Sequence, residues 1–574
     1  MASRRAARLL PVLAVFALGA ALAGCASLPT SGPVQQGQEV SAGVDEPFIR
    51  VLPQAPAPGL PPVAVVRGFL AASASFESDH EVAREFLTPA ASASWDSGAG
   101  VVVYEDERGF SLRSTAPRRV QLRAQTYATI NADGSLTPRR NVTATTTFQM
   151  ARVAGEWRIA SLPDGLILTR LDVARSYRPL DLFFLAGQSA LLVPDPVYVP
   201  IVRPGSATSL MRALLDGPTP WLAPAVRTAF PAGTALVVDS VPVENGIAQV
   251  DLTNEVLKAS QSELSALTAQ TVWTLSQLTE VTGVRITAEG SDLSLPVGSG
   301  VQTTSDWSGF DPNAASSTVS GLAVSGGRVV ELNGDSFVPV LGPFGDGTYA
   351  LRTPASSWVG DRIAAVTADG RQLLVQDQAA PQRVGRVFTG ADLAPPSFDG
   401  GGLLWFVDRT ERGSVVRVAD AQGATQRVDA PGLARRRVSE LVISRDGARA
   451  AVIVQRADGS GQLLLARLER SGSRLLLNGL RPLERTLTDV RSAAWSSADR
   501  IVVLARQHGA AVQPWTVGID GLVAPTGGSL RGLKTVAAAP DRPLLVGTTD
   551  GRLWEDTGLS WRELSRGFDP SYSG

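Results

Sequence analysis

One residue stands out for its chemistry: Cys25 is the only cysteine among the 574 residues of the chain. It ends the tetrapeptide Leu22-Ala23-Gly24-Cys25, in which small residues precede a nucleophilic thiol. This pattern is typical of the bacterial lipobox, where the sulfur takes a diacylglyceryl group and the freed amine is often acylated, as with palmitate. Two or three acyl chains give stable anchoring. The sequence therefore predicts lipid attachment at Cys25, with Leu22, Ala23 and Gly24 recognised by the signal peptidase.

The residues before Cys25 are organised as a leader. Arg4, Arg5 and Arg8 form a basic region, and the apolar run 9–23 has 15 residues, too short for a bilayer span of about 20. We interpret residues 1–24 as a lipoprotein signal peptide. Two alternatives stay open: a plain secretory signal with a chance cysteine, and a twin-arginine signal. The second is less favoured because hydrophobic residues do not follow the arginine pair directly.

Other residue patterns that could do chemistry are weak. The chain has two histidines, His80 and His508, both in polar settings that favour surface positions. A histidine-based zinc site or a Ser-His-Asp triad needs more partners than these. The acidic run Glu105-Asp106-Glu107 and the basic run 434–438 (ARRRV) both read as solvated loops. We therefore predict no catalytic residue, no metal and no cofactor beyond the covalent lipid on Cys25.

The overall charge excludes one class of partner. Lysine plus arginine number 53 and aspartate plus glutamate number 54. Nucleic-acid binding needs a concentrated basic face, so no nucleic-acid partner is expected.

The rest of the chain divides by pattern. Residues 25–61, rich in Pro, Gly, Ser and Gln, predict a flexible stalk behind the acylated cysteine. In residues 62–185 two helices precede alternating strands, an order that resembles an NTF2-like α+β domain. There Val63, Val66, Phe69 and Leu70 form the predicted apolar stripe of the first helix. Asp79 is the predicted N-cap of the second, which Pro89 is expected to end.

Residues 190–300 predict a compact α/β unit. Ser206 is the expected N-cap of its first helix, and Asn245-Gly246 is a strong two-residue hairpin signal. A second helix carries leucines at helical spacing, and another hairpin turns at Glu289-Gly290.

Residues 301–319 are expected to form a linker, and residues 320–574 a β-propeller. Turn signals recur about every ten residues in this last part. Longer segments ending in a buried strand recur at roughly 41 to 52 residues, which is the period of a four-stranded blade. This repeat indicates about six blades, with five or seven blades, or a large β-sandwich, as alternatives.

Several segments carry a resemblance to a known family. They are LAGC with PTSGPVQ after it, RGFLAASASFESDHEVAREFLTP, LLDGPTPWLAPAVRTAFPAGT, NGIAQVDLTNEV, LTAQTVWTLSQL, PPSFDGGGLLWFVDR and SRDGARAAVIV. In order and spacing the chain resembles the LpqB lipoprotein family of actinobacteria, and its middle part resembles a GerMN domain.

That resemblance implies a location and a role. It implies a lipoprotein on the outer, extracytoplasmic face of the plasma membrane. It also implies an accessory protein that binds the extracellular sensor domain of a membrane histidine kinase of the MtrB type and modulates two-component signalling to envelope and division control. The family offers no catalytic residues to transfer, so we expect a protein that is not an enzyme.

Two other functions remain open at this stage. The chain could bind an envelope ligand, such as peptidoglycan, another glycan or a lipid intermediate, through exposed aromatic residues; Trp221, Trp273, Trp307 and Trp561 are the candidates. A propeller hydrolase or lyase would require a convergent polar cluster in a cleft.

Overall fold

The fold follows from a computed structural model, which describes residues 53–573 except 106–109, 188–189, 202–204, 299, 315–320, 335, 485 and 508. Cys25 and its lipobox lie outside the described residues. The protein is mainly β, as predicted, and comprises an α+β unit, an α/β unit and a propeller. Within the described residues, no helix has both the length and the apolar character needed to span a bilayer.

The first unit packs short helices against a curled sheet. Strand order is β5-β4-β3-β1-β6, with β2 paired to β3; β1 and β6 are parallel and the other pairs are antiparallel. The elements are α1 (Pro62–Ala72), a 3-10 turn (Glu77–His80), α2 (Glu81–Arg84), α3 (Pro89–Ser94), β1 (Val101–Tyr104), β2 (Ser111–Ala116), β3 (Arg119–Ile130), β4 (Leu136–Val153), β5 (Glu156–Ser161), β6 (Leu166–Thr169) and α4 (Arg170–Ser176).

Pro62 starts α1 because its missing N–H costs nothing in the first turn. The helix buries Val65, Val66, Phe69 and Leu70, so the apolar stripe includes Val65, while Val63 is only half-buried.

Two details of the second helix were wrong. Asp79 does not cap it: Asp79 and His80 both have positive φ, and the Asp79 carboxylate instead accepts hydrogen bonds from Arg84 and Ser97. Pro89 does not end it either, because α2 stops at Arg84 and Pro89 is the first residue of α3.

The middle unit has two small sheets around a buried helix. Its strand orders are β8-β7-β9 and β10-β11-β12-β13, with β14 paired to β12; β11 and β12 are parallel. The elements are β7 (Tyr177–Ala186), β8 (Leu192–Pro200), α5 (Ser206–Asp216), β9 (Val226–Arg227), β10 (Val243–Glu244), β11 (Ile247–Leu252), α6 (Gln261–Leu275), β12 (Gly283–Ala288), β13 (Ser291–Asp292), β14 (Val301–Gln302), and 3-10 turns at Ala223–Ala225, Asn254–Lys258 and Thr304–Phe310.

Helix α6 explains how this unit is held together. Its polar residues Gln270 and Thr274 are fully buried and hydrogen-bond the backbone of Phe183 on β7. Ser260 caps α6 with a capping box, whereas Ser206 is the first residue of α5 and does not cap it. The predicted hairpin turn at Asn245-Gly246 is present, with φ of 51° and 83°.

Two boundaries differ from the prediction. The predicted boundary places β7 in the first unit, yet its residues 182–185 lie in the core of the middle unit because they pair with β8 and pack on α6. The predicted linker 301–319 begins with structure of the middle unit: β14 pairs with β12, and Trp307 is buried in the same core.

The last unit is a ring of six four-stranded sheets, in agreement with the predicted six blades. Blades 2 to 6 are formed by strands consecutive in sequence, but blade 1 combines β15–β17 with β38, so a strand that follows blade 6 in sequence closes the ring.

The strands of blades 1 to 3 are β15 (Leu322–Ser325), β16 (Arg328–Asn333), β17 (Ser336–Pro339), β18 (Leu351–Ser356), β19 (Arg362–Thr367), β20 (Gln372–Asp377), β21 (Val384–Thr389), β22 (Ser397–Phe398), β23 (Leu404–Thr410) and β24 (Gly413–Ala419), β25 (Thr425–Arg427), with α7 (Pro343–Asp346) after β17. The remaining strands are β26 (Arg437–Ile443), β27 (Arg449–Gln455), β28 (Gly461–Ser471), β29 (Arg474–Pro482), β30 (Leu487–Ser497), β31 (Arg500–Gln507), β32 (Gln513–Gly518), β33 (Val523–Pro525), β34 (Leu533–Ala537), β35 (Leu545–Thr548), β36 (Arg552–Asp556), β37 (Trp561–Arg566) and β38 (Phe568–Ser571).

Candidate functional site

The axial channel of the propeller contains a cavity of about 200 Å³. Its walls come from the innermost strand of every blade, that is from β18, β22, β26, β30, β34 and β38. Apolar side chains such as Phe398 and Leu441 form part of the wall, with Trp495 beside them. The channel is therefore a preformed concave site of the kind that binds ligands.

The inner strands share a local irregularity. In β18, β26, β30, β34 and β38 the register shifts so that the inner strand carries extra residues relative to its neighbour. Blade 3 shows the same feature between Leu393 and Ser397, around Pro395-Pro396. Bulges redirect side chains and twist strands locally. Polar residues lie at or beside these irregularities, among them Thr353, Glu440, Thr535 and Asp569.

The main polar group in the channel is the carboxylate of Glu440 on β26. It accepts hydrogen bonds from the Ala493 N–H at 3.1 Å and from the Ser492 hydroxyl at 3.4 Å, both on blade 5. Burial raises the pKa of Glu440 to about 8, and the nearby charge of Asp569 adds to this shift. Asp569 lies on β38, accepts from the Thr353 N–H, and has its own pKa raised by burial.

One end of the channel is covered by the segment that connects the middle unit to the propeller. Pro312 lines the cavity, and Asn313 accepts a hydrogen bond from the Ala498 N–H at 2.7 Å. The Arg445 guanidinium donates to the carbonyl of Ala314 and lies 3.4 Å from the ring centroid of Trp358. The predicted linker thus docks on the propeller in residues 312–314.

A second polar centre joins the middle unit to the propeller. Arg449, the first residue of β27, is almost fully buried. Its guanidinium donates to the carbonyl of Pro194 in the middle unit, to the Asp446 carboxylate and to the Ala498 carbonyl, each at 2.9 Å. One side chain therefore satisfies groups from both units.

Trp221 forms the other part of this junction. Its indole N–H donates to the Gly479 carbonyl at 2.8 Å, and the Arg481 guanidinium lies 4.2 Å from its ring centroid. Gly479 has φ of 61°, and a Cβ there would approach the Trp221 Nε1 to 3.0 Å, so this position requires glycine.

The first unit also reaches this region. The Tyr198 N–H donates to the Gly134 carbonyl in the β3–β4 turn at 2.8 Å, and the Tyr198 hydroxyl donates to Asp520 of the propeller at 3.2 Å. A cavity of about 420 Å³ remains between the three units.

The junction is rich in buried carboxylates. Burial raises the pKa of Asp195 to about 6, although Asp195 accepts two hydrogen bonds from Thr219. Burial raises the pKa of Asp181 to about 8, with neighbouring carboxylates contributing, and also raises that of Asp520. These carboxyl groups therefore hold their protons more readily than exposed ones do.

The histidine prediction was wrong for one of the two residues. His80 is buried, with its ring 4.8 Å from that of Phe76 and 6.0 Å from that of Trp95, and burial lowers its pKa. The positive φ of Asp79 and of His80 itself turns its side chain into the core of the first unit. His508 lies outside the described residues.

The remaining candidates take ordinary structural places. Glu105 follows β1, while Asp106 and Glu107 lie outside the described residues. In the 434–438 run, Arg435 and Arg436 are exposed, and Arg437 pairs with Asp392 at 3.0 Å. Within the described part of the chain, no group of three or more His, Cys, Asp or Glu side chains is arranged to hold a metal ion.

The four tryptophans proposed as a ligand platform are not exposed. Trp307 is buried, and Trp221, Trp273 and Trp561 are half-buried against apolar clusters. This arrangement argues against glycan stacking on these residues. Sequence reasoning missed Glu440 and Arg449; the only signal for them was a charged residue within an otherwise apolar strand pattern.

Three family models match consecutive parts of the chain. Residues 55–174 match the N-terminal domain of lipoprotein LpqB, residues 181–294 match a family described as sporulation and spore germination, and residues 327–573 match the lipoprotein LpqB beta-propeller domain.

Whole-chain relatives agree with these matches. Lipoprotein LpqB of Thermobifida fusca is 34% identical over 629 residues, covering 99% of this chain and all of the relative. Lipoprotein LpqB of Streptomyces coelicolor is 30% identical, covering 96% of each chain. Among solved structures, TolB from Acinetobacter baumannii matches 43% of this chain and 62% of its own, with 16% identity and a TM-score of 0.33.

The fold and the matched domains define the class: a mainly-β, multidomain lipoprotein with a GerMN domain ahead of a C-terminal β-propeller. The chain belongs to the LpqB lipoprotein family. The names of these family models and relatives describe a lipoprotein and its domains, and none of them names a reaction.

Proposed function

We propose that this protein is a lipid-anchored, non-enzymatic accessory protein on the outer face of the plasma membrane. Acyl groups on Cys25 hold it there, and its folded units bind the extracellular sensor region of an MtrB-type histidine kinase. Binding modulates the kinase by favouring one of its signalling states, since a partner shifts an equilibrium only through different affinities for the two states.

The observation that carries this proposal is the junction built on Arg449 and Trp221. It fixes the GerMN domain on the propeller through buried polar contacts, whereas domains meant to move freely share small, solvated interfaces. A preorganised surface lowers the entropic cost of binding a second protein. The nearly balanced charge of the chain fits a protein partner better than a polyanion.

Exposed apolar side chains on two units offer contact points for such a partner. Val238 in the GerMN domain is 67% exposed, and Leu559 in the β36–β37 turn is 99% exposed. Single exposed apolar residues are common on protein surfaces, so each needs a direct test.

The test uses interferometry to measure binding of the kinase sensor region to the full-length lipoprotein in nanodiscs. We expect saturable binding in the micromolar range. One of the two substitutions, Val238→Ser or Leu559→Ser, should weaken the binding about tenfold, and the other should weaken it less. Failure of the folded lipoprotein to bind at about 100 μM would overturn the proposal. A Cys25→Ala variant should leave the membrane fraction while binding the sensor region with unchanged affinity.

A further inference from the structure

The axial channel contains a half-buried carboxylate with spare acceptor capacity. Glu440 receives one hydrogen bond on each oxygen, from Ala493 and from Ser492. A carboxylate accepts about four hydrogen bonds. None of the ion pairs among the described residues includes Glu440. Because it lines the cavity and has no ion-pair partner in the described part of the chain, this carboxyl group has acceptor sites open to a ligand.

Hydroxyl groups around the channel are also unsatisfied. The side-chain oxygens of Thr353, Thr535, Ser571 and Ser573 are buried and have no hydrogen-bond partner. All four residues line the cavity, and they come from the inner strands of blades 1, 2 and 6 or the residues next to them. A buried polar atom without a partner is costly, which indicates that water or a ligand satisfies these oxygens.

The cations of the channel are already engaged. Arg491 pairs with Asp489 at 3.1 Å and donates to the Leu533 carbonyl. Arg445 is held by Ala314 and Trp358 at the covered end. The charges of Lys534 and Arg352 act on Asp569, the second carboxylate of the cavity, and not on Glu440. Glu440 is therefore the acidic group left for a bound cation.

We propose that the axial channel binds a primary ammonium group carried on an alkyl chain, with Glu440 as its counter-ion. An ammonium has three rotatable donors and suits a cavity lined by the Glu440 carboxylate and by hydroxyl oxygens. A guanidinium presents its donors in a planar fork that matches one carboxylate, whereas the three donors of an ammonium can also reach hydroxyl oxygens outside the carboxylate plane. The apolar wall around Phe398 and Leu441 suits the methylene chain. This site is independent of kinase binding.

The competing explanation is that Glu440 only links blade 4 to blade 5. Both roles use the same side chain, so the stability of Glu440 variants does not separate them. Thr535→Val distinguishes ligand binding from a structural link, because it removes an unpartnered hydroxyl from the cavity without removing an existing hydrogen bond.

The experiment is calorimetric titration of the full-length chain in detergent with n-butylammonium chloride and with Nα-acetyl-lysine methylamide. The neutral controls are n-butanol and the Nε-acetylated lysine compound. We expect one-site binding of the ammonium compounds alone, weakened at least tenfold in Glu440→Gln, about threefold in Thr535→Val, and unchanged in Glu411→Gln, an exposed hairpin-turn residue.

Binding should also release protons. Because the pKa of Glu440 is about 8, close to 0.9 proton per site should be released at pH 7, measured from heats in two buffers of different ionisation enthalpy. Binding of both ammonium compounds would identify free alkylamines as ligands, and binding of the lysine compound alone would identify a peptide side chain.

Equal affinity for ammonium and neutral compounds would overturn the proposal, as would no binding, which leaves water as the occupant. Unchanged affinity in both Glu440→Gln and Thr535→Val would do the same. If Glu440→Gln does not fold, Thr535→Val decides alone: unchanged affinity there rejects the site.

Discussion

Replacing Arg449 by methionine should weaken the propeller and its attachment to the GerMN domain together. The substitution keeps an unbranched side chain of similar length but removes three hydrogen bonds, to Pro194, Asp446 and Ala498. The Asp446 side chain is only 1% exposed, so its charge stays buried without a cation.

The expected magnitude follows from that buried pair. Removing one member of a buried ion pair costs about 3–5 kcal/mol. A loss of about 3 kcal/mol corresponds to a drop of roughly 6–12 °C in the melting midpoint of a domain of the propeller's size. Removing both charges, in the double variant Asp446→Asn/Arg449→Met, should recover part of this loss, about 1–3 kcal/mol relative to the sum of the single effects.

The assay is scanning calorimetry of the full-length chain, with hydrogen exchange to locate the change. Arg552→Met is the matched control, since Arg552 pairs with Glu563 while both side chains are about 40% exposed, and such pairs contribute about 0–1 kcal/mol. In Arg449→Met, amides near Pro194 should exchange faster, whereas Arg552→Met should leave them unchanged. Equal midpoint shifts in the two variants would refute the reasoning.

Three further predictions concern pH and backbone space. Because the pKa of Asp181 is raised to about 8, its contribution to stability is complete below pH 4 and is lost as the pH rises towards 8. The urea midpoint of unfolding, measured by tryptophan fluorescence, should therefore fall between pH 5 and pH 8. In Asp181→Asn the midpoint should fall less. Burial lowers the pKa of His80 below 6.5, so its effect has the opposite sign: the first unit should lose stability as the pH falls below about 6.5, and His80→Phe should flatten that slope in the same titration. Gly413→Ala should destabilise the propeller by about 2 kcal/mol or more, because a Cβ there would meet the Ala434 carbonyl. Gly423 also has a positive φ but faces open space, so Gly423→Ala should cost about 1 kcal/mol, measured by calorimetry. Equal losses in the two variants would contradict the steric argument.

The propeller was predictable because its signal is local and repeated. Dipeptides that contain glycine mark the turns at the ends of short apolar strands, and the repeat period gives the size of a blade. The sequence pattern alone therefore predicts about six blades, and the structure has six. The Asn245-Gly246 turn was predictable for the same reason, since its backbone requirement is met by two adjacent residues.

The domain boundary and the polar centres depend on distant contacts. Strand β7 follows the first unit in sequence, but its partners β8 and α6 come later in the chain, and burial against them decides its place. His80 sits among charged neighbours, yet Phe76 and Trp95 enclose it. The sequence around Glu440 predicts an ordinary strand residue, because the cavity that it lines is formed by residues from all six blades.

The way the ring closes has a consequence for biosynthesis. Blade 1 needs residues 322–339 and also 568–571, and the five other blades lie between these two segments in sequence. Blades 2 to 6 can pair their own strands as they emerge from the ribosome, but β15 has no partner β38 until the five other blades have been synthesised. A chain truncated before residue 568 therefore carries an unfinished first blade with an open strand edge, and each molecule passes through that state during synthesis before the ring closes.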